Sequence, residues 1–220
     1  MFYLIKNGKV SDVDTNTFSD DNMPKNQQFL GVMCYDEIFS TADSIGLDYN
    51  QGVFDNRTPR FENHDGFDFV CINLINKQDL FEKSNAVYIH LKKDMLLFIC
   101  EEPKIMEDIL EKIIADNPND LNISKLLCAV FDKITDDDTA VLQDIELELT
   151  LLEDALIESE KRTCVAEIIS IRKRLMCLKV YYQQLLDIFD GICANENELI
   201  DNHIMRQFKI VANRLSRLFT

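Results

Sequence analysis

The sequence predicts an α+β fold, in which a first half rich in strands is followed by an all-helical second half. Five short runs of β-branched and aromatic residues fall within residues 1–102, and the compact turn Lys92-Lys93-Asp94 joins the last two. From Pro103 onward, apolar residues recur at helical spacing. A length of 220 residues allows one large domain or two small ones.

The strand-rich half also contains one predicted helix. Its apolar residues between 38 and 45 recur at helical spacing, and Gly46 suits the end of a helix. Strands mixed with a helix indicate α/β or α+β layering. The predicted strands are FYLI (2–5), QFLGVM (28–33), FDFVCINLI (67–75), AVYIHL (86–91) and MLLFIC (95–100).

The helical half is predicted to open with two shorter helices, EPKIMEDILEKII and ISKLLCAVFDKI, of which the second is capped by Asn122 or Ser124. Three heptad series of apolar residues follow, each a narrow stripe of the kind that bundle helices bury. We expect ESEKRT to be the tip of an antiparallel hairpin between the first two series. Gly191 and Asn195 are expected at the entry to the third. The series cover 142–156, 171–189 and 204–218.

Composition excludes several classes of protein. The chain has 39 acidic and 23 basic residues, for a net charge of −16, which argues against a nucleic-acid partner and against docking on anionic lipid. It permits binding of cations or basic partners. Seven cysteines without a C-x-x-C pair indicate reduced thiols in a cytosolic protein. We expect no signal peptide and no membrane-spanning segment, because no apolar run reaches about 18 residues.

Charge is unevenly divided between the first two heptad helices. Ten acidic residues and no basic residue lie from Asp136 to Glu160, whereas the next helix carries Arg172, Arg174 and Lys179. One interpretation is that these rim charges fix the antiparallel register. The other is that divalent cations hold the acidic helix, because Mg²⁺ and Ca²⁺ take carboxylate ligands. The spacing leaves both open.

Asp132, Asp136 and Asp137 are candidate metal ligands. Asp132 and Asp136 are four residues apart and would share one helical face if the helix continued through both. Like charges at that spacing repel, and a divalent cation would reverse the repulsion.

No enzyme signature is present, and we predict that the protein is not an enzyme. The sequence lacks G-x-G-x-x-G, G-x-S-x-G and H-E-x-x-H motifs. His64 lies near Glu62 and Asp68, which permits a metal site or a general base but is also typical of a solvated strand entry. His90 is expected on the polar side of its strand and His203 in solvent.

The segment TPRFENHDGFDFV, the strand pair AVYIHLKKDMLLFIC and the three heptad helices follow one another in an order that resembles the cytosolic domain of the CorA family of divalent-cation channels. In that family an Arg/Lys-Pro-Arg/Lys-x-Glu segment leads into the central sheet. The resemblance covers about residues 29–220. The matching residues here are Pro59, Arg60, Glu62, Phe67 and Phe69.

The resemblance implies an α/β/α sandwich with a mixed sheet, followed by a long antiparallel helical hairpin and a stalk helix. On this basis we expect the α/β/α domain at 1–120, the acidic and basic hairpin at 121–194 and the start of the stalk helix at 195–220. The two membrane helices that follow the stalk in the family are missing from this sequence. We therefore expect a shortened, soluble chain that belongs at the cytoplasmic side of the cell membrane.

The resemblance also implies a function. Family members assemble as homo-pentamers, and Mg²⁺ bound between neighbouring cytosolic domains holds the pore shut. We therefore predict a cation-sensing regulatory domain of a Mg²⁺ (or Co²⁺/Ni²⁺) transport protein, with Mg²⁺ as its regulatory ligand and no nucleic-acid partner. The alternatives are the Zn²⁺-transporting branch of the family and a structural helical module with no cation response.

At the family's sensing positions this sequence has Gln51 and Gln207, where the family has acidic residues. Amides bind Mg²⁺ more weakly than carboxylates do. The nearest matches to a secondary site on the family's acidic helix are Asp132 and Asp136.

Overall fold

The computed structural model describes residues 1–13, 27–42, 47, 54, 56–117, 119–157 and 164–219. The predicted hairpin tip at 158–163, Gly46 and Gln51 lie outside these residues. The strands are β1 (Phe2–Lys6), β2 (Lys9–Asp12), β3 (Gln28–Cys34), β4 (Arg60–His64), β5 (Phe67–Leu74), β6 (Asn85–Leu91) and β7 (Met95–Cys100). The helices are α1 (Tyr35–Thr41), α2 (Pro103–Asp116), α3 (Ile123–Ile134), α4 (Asp138–Ile157), α5 (Cys164–Ala194) and α6 (Asn202–Ser216), with a 3₁₀ turn at Arg217–Phe219.

The seven strands form one mixed sheet in the order β2-β1-β3-β7-β6-β5-β4. Only β3 and β7 pair in parallel, with Val32 opposite Phe98, and the other neighbours are antiparallel. The predicted α+β class and the mixed sheet are thereby confirmed. The central strands are nearly continuous apolar runs because both faces of the sheet are covered.

Alternation along the central strands divides the core in two. Leu30 and Phe98 point toward a large cluster that includes buried residues of α2, α3, α5 and α6. Phe29 and Leu97 point the opposite way, into a smaller cluster with Ile38 of α1. This is the α/β/α layering that the family resemblance implies. Each of the three predicted segments contributes buried residues to the large cluster. The division of the chain at residues 120 and 194 stays a prediction.

An aromatic contact ties three helices together on the larger side. Phe131 of α3 lies 5.1 Å from Phe189 of α5 and 6.0 Å from Phe208 of α6, measured between ring centroids. Rings at these distances contribute stability beyond the area they bury. Together with the buried stripe of α6, these contacts hold α6 against the α/β layers.

The helix termini follow the sequence in part. The Asn122 side chain accepts a hydrogen bond of 2.8 Å from the Lys125 amide, which confirms the predicted cap. Asn195 ends α5 with a φ of 46°. The prediction for Gly191 was wrong, because this residue lies inside α5. A Cβ there would come within 2.5 Å of the Phe61 ring, so the glycine lets Phe61 of β4 pack against the helix.

Three other features differ from the sequence-based expectations. The polar edge strands β2 and β4 were not predicted. His90 was expected on a polar face but is only 2% exposed, because the sheet is covered on both sides. It stacks on Phe67 at 4.7 Å. His203 is exposed, as predicted.

Candidate functional site

The acidic junction, residues 132–138, connects α3 to α4. The α3 helix ends at Ile134 and α4 begins at Asp138, so the helix does not continue through both Asp132 and Asp136, which was the condition for a shared face. The break has a local cause: the hydroxyl of Thr135 donates hydrogen bonds to the carbonyl oxygens of Phe131 (2.9 Å) and Asp132 (3.1 Å) as the chain turns. Asp132 and Asp136 therefore do not share a helical face.

Arg214 of α6 reaches back to the acidic junction. Its guanidinium lies 2.8 Å from the Asp132 carboxylate and donates hydrogen bonds to the Thr135 hydroxyl (2.6 Å) and the Asp132 carbonyl oxygen (3.3 Å). A cation at the carboxyl end of a helix is also favoured by the helix dipole. One side chain thus links the end of α3 to the last turn of α6.

Lys77 is the second cation at the junction. It lies in the loop after β5, and its ammonium donates a 2.7 Å hydrogen bond to the Ile134 carbonyl oxygen. The same nitrogen contacts the carboxylates of Asp137 and, at 2.6 Å, Asp138. Lys77 is separated from these acids by about 60 residues, and no local sequence signal pointed to it.

Asp138 is 1% exposed, which makes it the most deeply buried carboxyl of the junction. Burial raises its pKa, although the hydrogen bonds and charge of Lys77 and the Tyr182 hydroxyl act in the opposite direction. Burial and the neighbouring Asp138 likewise raise the pKa of Tyr182. The ion pair with Lys77 compensates the buried charge of Asp138.

The three predicted metal ligands have three different basic partners. Asp132 pairs with Arg214, Asp137 with Lys77, and Asp136 lies 3.4 Å from Lys133. Within the described parts of the chain, no group of three or more His, Cys, Asp or Glu side chains is placed to hold a metal ion. The role of these acids as metal ligands stays a prediction.

Of the two amides at the family's sensing positions, the structure describes Gln207. It is exposed on α6, at the edge of the stripe that contains the buried Ile204 and Val211. Ile210, one turn nearer the C-terminus, is 67% exposed. This side of α6 is therefore partly apolar.

The α4 and α5 helices form the predicted antiparallel pair. Glu148 of α4 lies 2.5 Å from Arg174 of α5. Further along, Ala155 faces Glu167, so residue numbers rise on one helix as they fall on the other. The ion pair is of the kind expected if rim charges fix the register.

A local polar network on β4 holds residues 59–62, the PRFE segment of the family resemblance. Arg60 lies 2.6 Å from Glu62, and its guanidinium stands 5.5 Å from the centre of the Phe69 ring. Burial opposes ionisation of Glu62, but hydrogen bonds from Arg60 and His64 outweigh it and hold the Glu62 pKa below its usual range. His64 is exposed and stacks on Phe67 at 4.7 Å.

Asp68 is separated from Glu62 and His64 by the pleat of the sheet. It is the register partner of Asn63 on β4, so its side chain leaves the opposite face. The buried Asp68 accepts hydrogen bonds from Asn63 (3.2 Å) and Asn197 (2.8 Å), and burial raises its pKa. The side chains of Glu62, His64 and Asp68 therefore do not converge on one pocket. The hydrogen bond from Asn197 to Asp68 joins the α5–α6 loop to the sheet.

None of the helices that the structure describes is both long and apolar enough to cross a bilayer.

Comparison with known proteins agrees with this architecture. The model of the CorA-like Mg²⁺ transporter protein family matches residues 48–220. The cobalt/magnesium transport protein CorA of Methanocaldococcus jannaschii is 27% identical over 173 residues, covering 72% of this chain and 52% of that protein. This chain thus spans about half the length of that curated relative.

Solved structures share the fold. The soluble domain of CorA from Methanocaldococcus jannaschii superposes with a TM-score of 0.73 at 17% identity, covering 99% of this chain and 89% of that one. The ZntB cytoplasmic domain from Vibrio parahaemolyticus superposes with a TM-score of 0.74 at 14% identity, covering 99% and 88%. The family match over more than half of the sequence, on a fold shared with these domains, shows that the chain belongs to the CorA-like transporter family.

Proposed function

We propose that this chain is the cytosolic, cation-sensing regulatory domain of a divalent-cation transport protein, situated at the cytoplasmic side of the cell membrane. Membership of the CorA-like family and the name of the curated relative, a cobalt/magnesium transport protein, support this assignment. The chain covers only 52% of that relative. That this domain serves a longer protein that transports cations is therefore also part of the proposal.

The observation that carries the regulatory role is the contact of Arg214 with Asp132 and Thr135. It joins the acidic junction to α6, the helix that corresponds to the start of the family's stalk. A divalent cation that binds the junction carboxylates competes with their basic partners, because both need the same oxygen atoms. Binding would then weaken the hold of α3 on α6.

The resemblance further implies a homo-pentamer with sensing sites between neighbouring subunits. The exposed side of α6 with Gln207 and Ile210 is a surface on which such contacts can form. The amide of Gln207 offers a neutral oxygen, so in this proposal the charge for cation binding comes from Asp132, Asp136 and Asp137.

The experiment is thermal unfolding of the chain in increasing Mg²⁺ at matched ionic strength. A ligand that binds only the native state at a hundredfold excess over its Kd stabilises by about 2.7 kcal/mol. We expect a saturable rise that Asp132→Asn and Asp137→Asn reduce. The matched control is Asp65→Asn, in the exposed β4–β5 turn. A flat response, or equal responses in all variants, contradicts cation sensing at the junction.

The second candidate is the Zn²⁺ branch of the family, favoured by the superposition on a ZntB cytoplasmic domain. The same titration with Zn²⁺ and Co²⁺ separates the two. A response to Zn²⁺ at lower concentration than to Mg²⁺ or Co²⁺ supports the Zn²⁺ branch. Indifference to all three ions supports the structural helical module.

A further inference from the structure

The α5 helix contains a basic stretch in an otherwise acidic chain. Residues 168–186 include four basic residues and no acidic residue, although the net charge of the chain is −16. Arg174 pairs with Glu148 of α4. The other three bases are exposed and have no ion-pair partner among the described residues: Arg172, Lys173 and Lys179. The described part of the chain thus leaves their charge uncompensated.

Exposed apolar side chains form a stripe along the same part of α5. Four of them are separated by four, seven and four residues, which places them on one side of the helix. We call these residues the α5 stripe: Val165, Ile169, Met176 and Val180. Glu167 and Arg174, which face α4, lie on the opposite side of the helix. The stripe therefore stays exposed although α4 packs against α5.

The three uncompensated bases border the stripe on both sides. Viewed down the helix, Arg172 and Lys179 lie about 60° to one side of the stripe and Lys173 about 50° to the other. The surface is thus apolar along its middle and basic along both edges. Contiguous exposed apolar surface with a polar rim marks interaction sites in soluble proteins.

A groove beside the stripe can receive a side chain of a partner. It has a volume of about 290 Å³ and is lined by Ile169 and Lys173 of α5 and by Phe81 of the β5–β6 loop. Phe81 is 57% exposed. The acids of this loop already accept hydrogen bonds, Asp79 from the Phe81 amide and Glu82 from Asn76. Lys173 is therefore the charge at this groove that a partner would meet.

Charge and shape identify the occupant. An anionic lipid surface and an acidic amphipathic helix both place negative charge beside apolar groups. A continuous anionic surface meets the field of the whole chain, whose net charge of −16 repels it. A single helix meets mainly the bases within about 8 Å, because salt screens more distant charges. The groove at Phe81 also suits a protruding side chain. These observations favour a helix.

We propose that the α5 stripe and its three flanking bases are a docking site for an acidic amphipathic helix of another protein. The apolar side chains of that helix pack on the stripe, one of them enters the groove at Phe81, and its carboxylates pair with Arg172, Lys173 and Lys179. This inference rests on the surface of α5 and the β5–β6 loop and does not depend on the proposed cation response.

The test is titration of the 220-residue chain with two labelled probe peptides, followed by fluorescence anisotropy in the absence of divalent cations. Both are designed amphipathic helices of about 20 residues, long enough to be helical, with one stripe of leucines. The stripe is flanked by glutamates in one peptide and by lysines in the other. We expect the acidic peptide to bind at least about tenfold more tightly than the basic one, and its affinity to fall as NaCl is added.

Variants of the chain locate the site. Lys173→Glu should weaken binding of the acidic peptide by about tenfold and strengthen binding of the basic one, because the charge at the groove is reversed. Ile169→Ser should weaken binding of the acidic peptide. The matched controls are Lys112→Glu, at an exposed position on α2, and Ile210→Ser, on the exposed side of α6; both should leave binding unchanged. Far-UV circular dichroism confirms that each variant is folded.

Three results overturn the proposal. The first is equal or undetectable binding of the two peptides. The second is binding of the acidic peptide that Lys112→Glu weakens as much as Lys173→Glu does. The third is sedimentation of the chain with vesicles that contain phosphatidylserine, lost in Lys173→Glu, without binding of the acidic peptide; this result would identify the surface as a lipid-binding site instead.

Discussion

The two halves of α5 differ in what surrounds them. In the C-terminal half, Tyr182, Leu185 and Phe189 are buried against the sheet and its helices. In the N-terminal half, Ile169 and Met176 are exposed although they recur at comparable spacing. Sequence periodicity is thus similar along the helix, and burial depends on which elements the fold brings alongside. The sheet, α3 and α6 reach one half, and α4 covers only one side of the other.

The sharpest test of this comparison is a pair of truncations on the same helix. Phe189→Ala removes a fully buried ring that contacts Phe131 and Phe208, so we expect a loss of about 3–5 kcal/mol in the free energy of unfolding. Met176→Ala should change it by about 0.5 kcal/mol or less. Urea denaturation of both variants measures the difference. Equal losses would show that the N-terminal half is as well packed as the C-terminal half.

The next largest effect is expected at the junction. Lys77→Met leaves the buried Asp138 without its ion-pair partner, and breaking a buried pair costs about 3–5 kcal/mol. We place the loss near the lower end, because Tyr182 also bonds Asp138. Lys133→Met breaks an exposed pair with Asp136 and should cost about 1 kcal/mol or less. Chemical denaturation compares the two, and adding Asp138→Asn to Lys77→Met should recover part of the loss. Similar costs for both lysines would contradict a buried role for Lys77.

A pH-dependent effect is expected from the sheet. Burial, with smaller contributions from Lys92 and His64, lowers the pKa of His90 from 6.5 to about 3. The unfolded chain takes up this proton below pH 6.5, but the folded chain does not. His90 therefore does not lower the free energy of unfolding above pH 6.5. As the pH falls from 6.5 toward about 3, protonation of His90 in the unfolded chain lowers this free energy by about 1.4 kcal/mol per pH unit.

His90→Phe isolates this effect, because the ring stack with Phe67 is kept while the proton is removed. The free energy of unfolding of the variant should fall less steeply between pH 6.5 and 4.5 than that of the unaltered chain. His203→Phe, at an exposed position on α6, is the control. Parallel pH profiles for His90→Phe and the unaltered chain would contradict a buried, neutral His90.

The smallest effect is expected at the rim of the hairpin. Glu148→Gln breaks the pair with Arg174, whose partners are 46% and 26% exposed, so we expect a loss of about 0.2–1 kcal/mol. The loss should shrink as salt is added, because exposed charges are screened. Unfolding measured at low and high NaCl checks both statements. A loss that does not depend on salt would indicate that Glu148 acts through packing.

The sequence was sufficient to predict the positions of the central strands and of most helices. Runs such as MLLFIC are apolar throughout because both faces of the sheet are covered, and this made β7 recognisable. The edge strands KVSD and RFENH have one or both faces in solvent and lack that signal. His90 was misplaced for a related reason, since a polar residue in a strand predicts an open face that this sheet does not have.

The junction was only partly predictable. The acids of residues 132–138 were visible as a cluster, but their partners Lys77 and Arg214 lie about 60 and 80 residues away in sequence. The end of α3 at Ile134 depends on the hydrogen bonds of Thr135, a residue that is neutral in a helical pattern. Tertiary contacts of this kind leave no periodic signal.

We propose that cation binding at the acidic junction is communicated to α6 through Arg214. Hydrogen exchange of the α6 amides, with and without Mg²⁺, tests it directly. Loss of an ion pair worth about 1 kcal/mol should speed exchange by about fivefold. We predict a saturable acceleration in the unaltered chain, and fast exchange without Mg²⁺ in Asp132→Asn. Unchanged α6 exchange at a Mg²⁺ concentration that raises the melting temperature would contradict the claim.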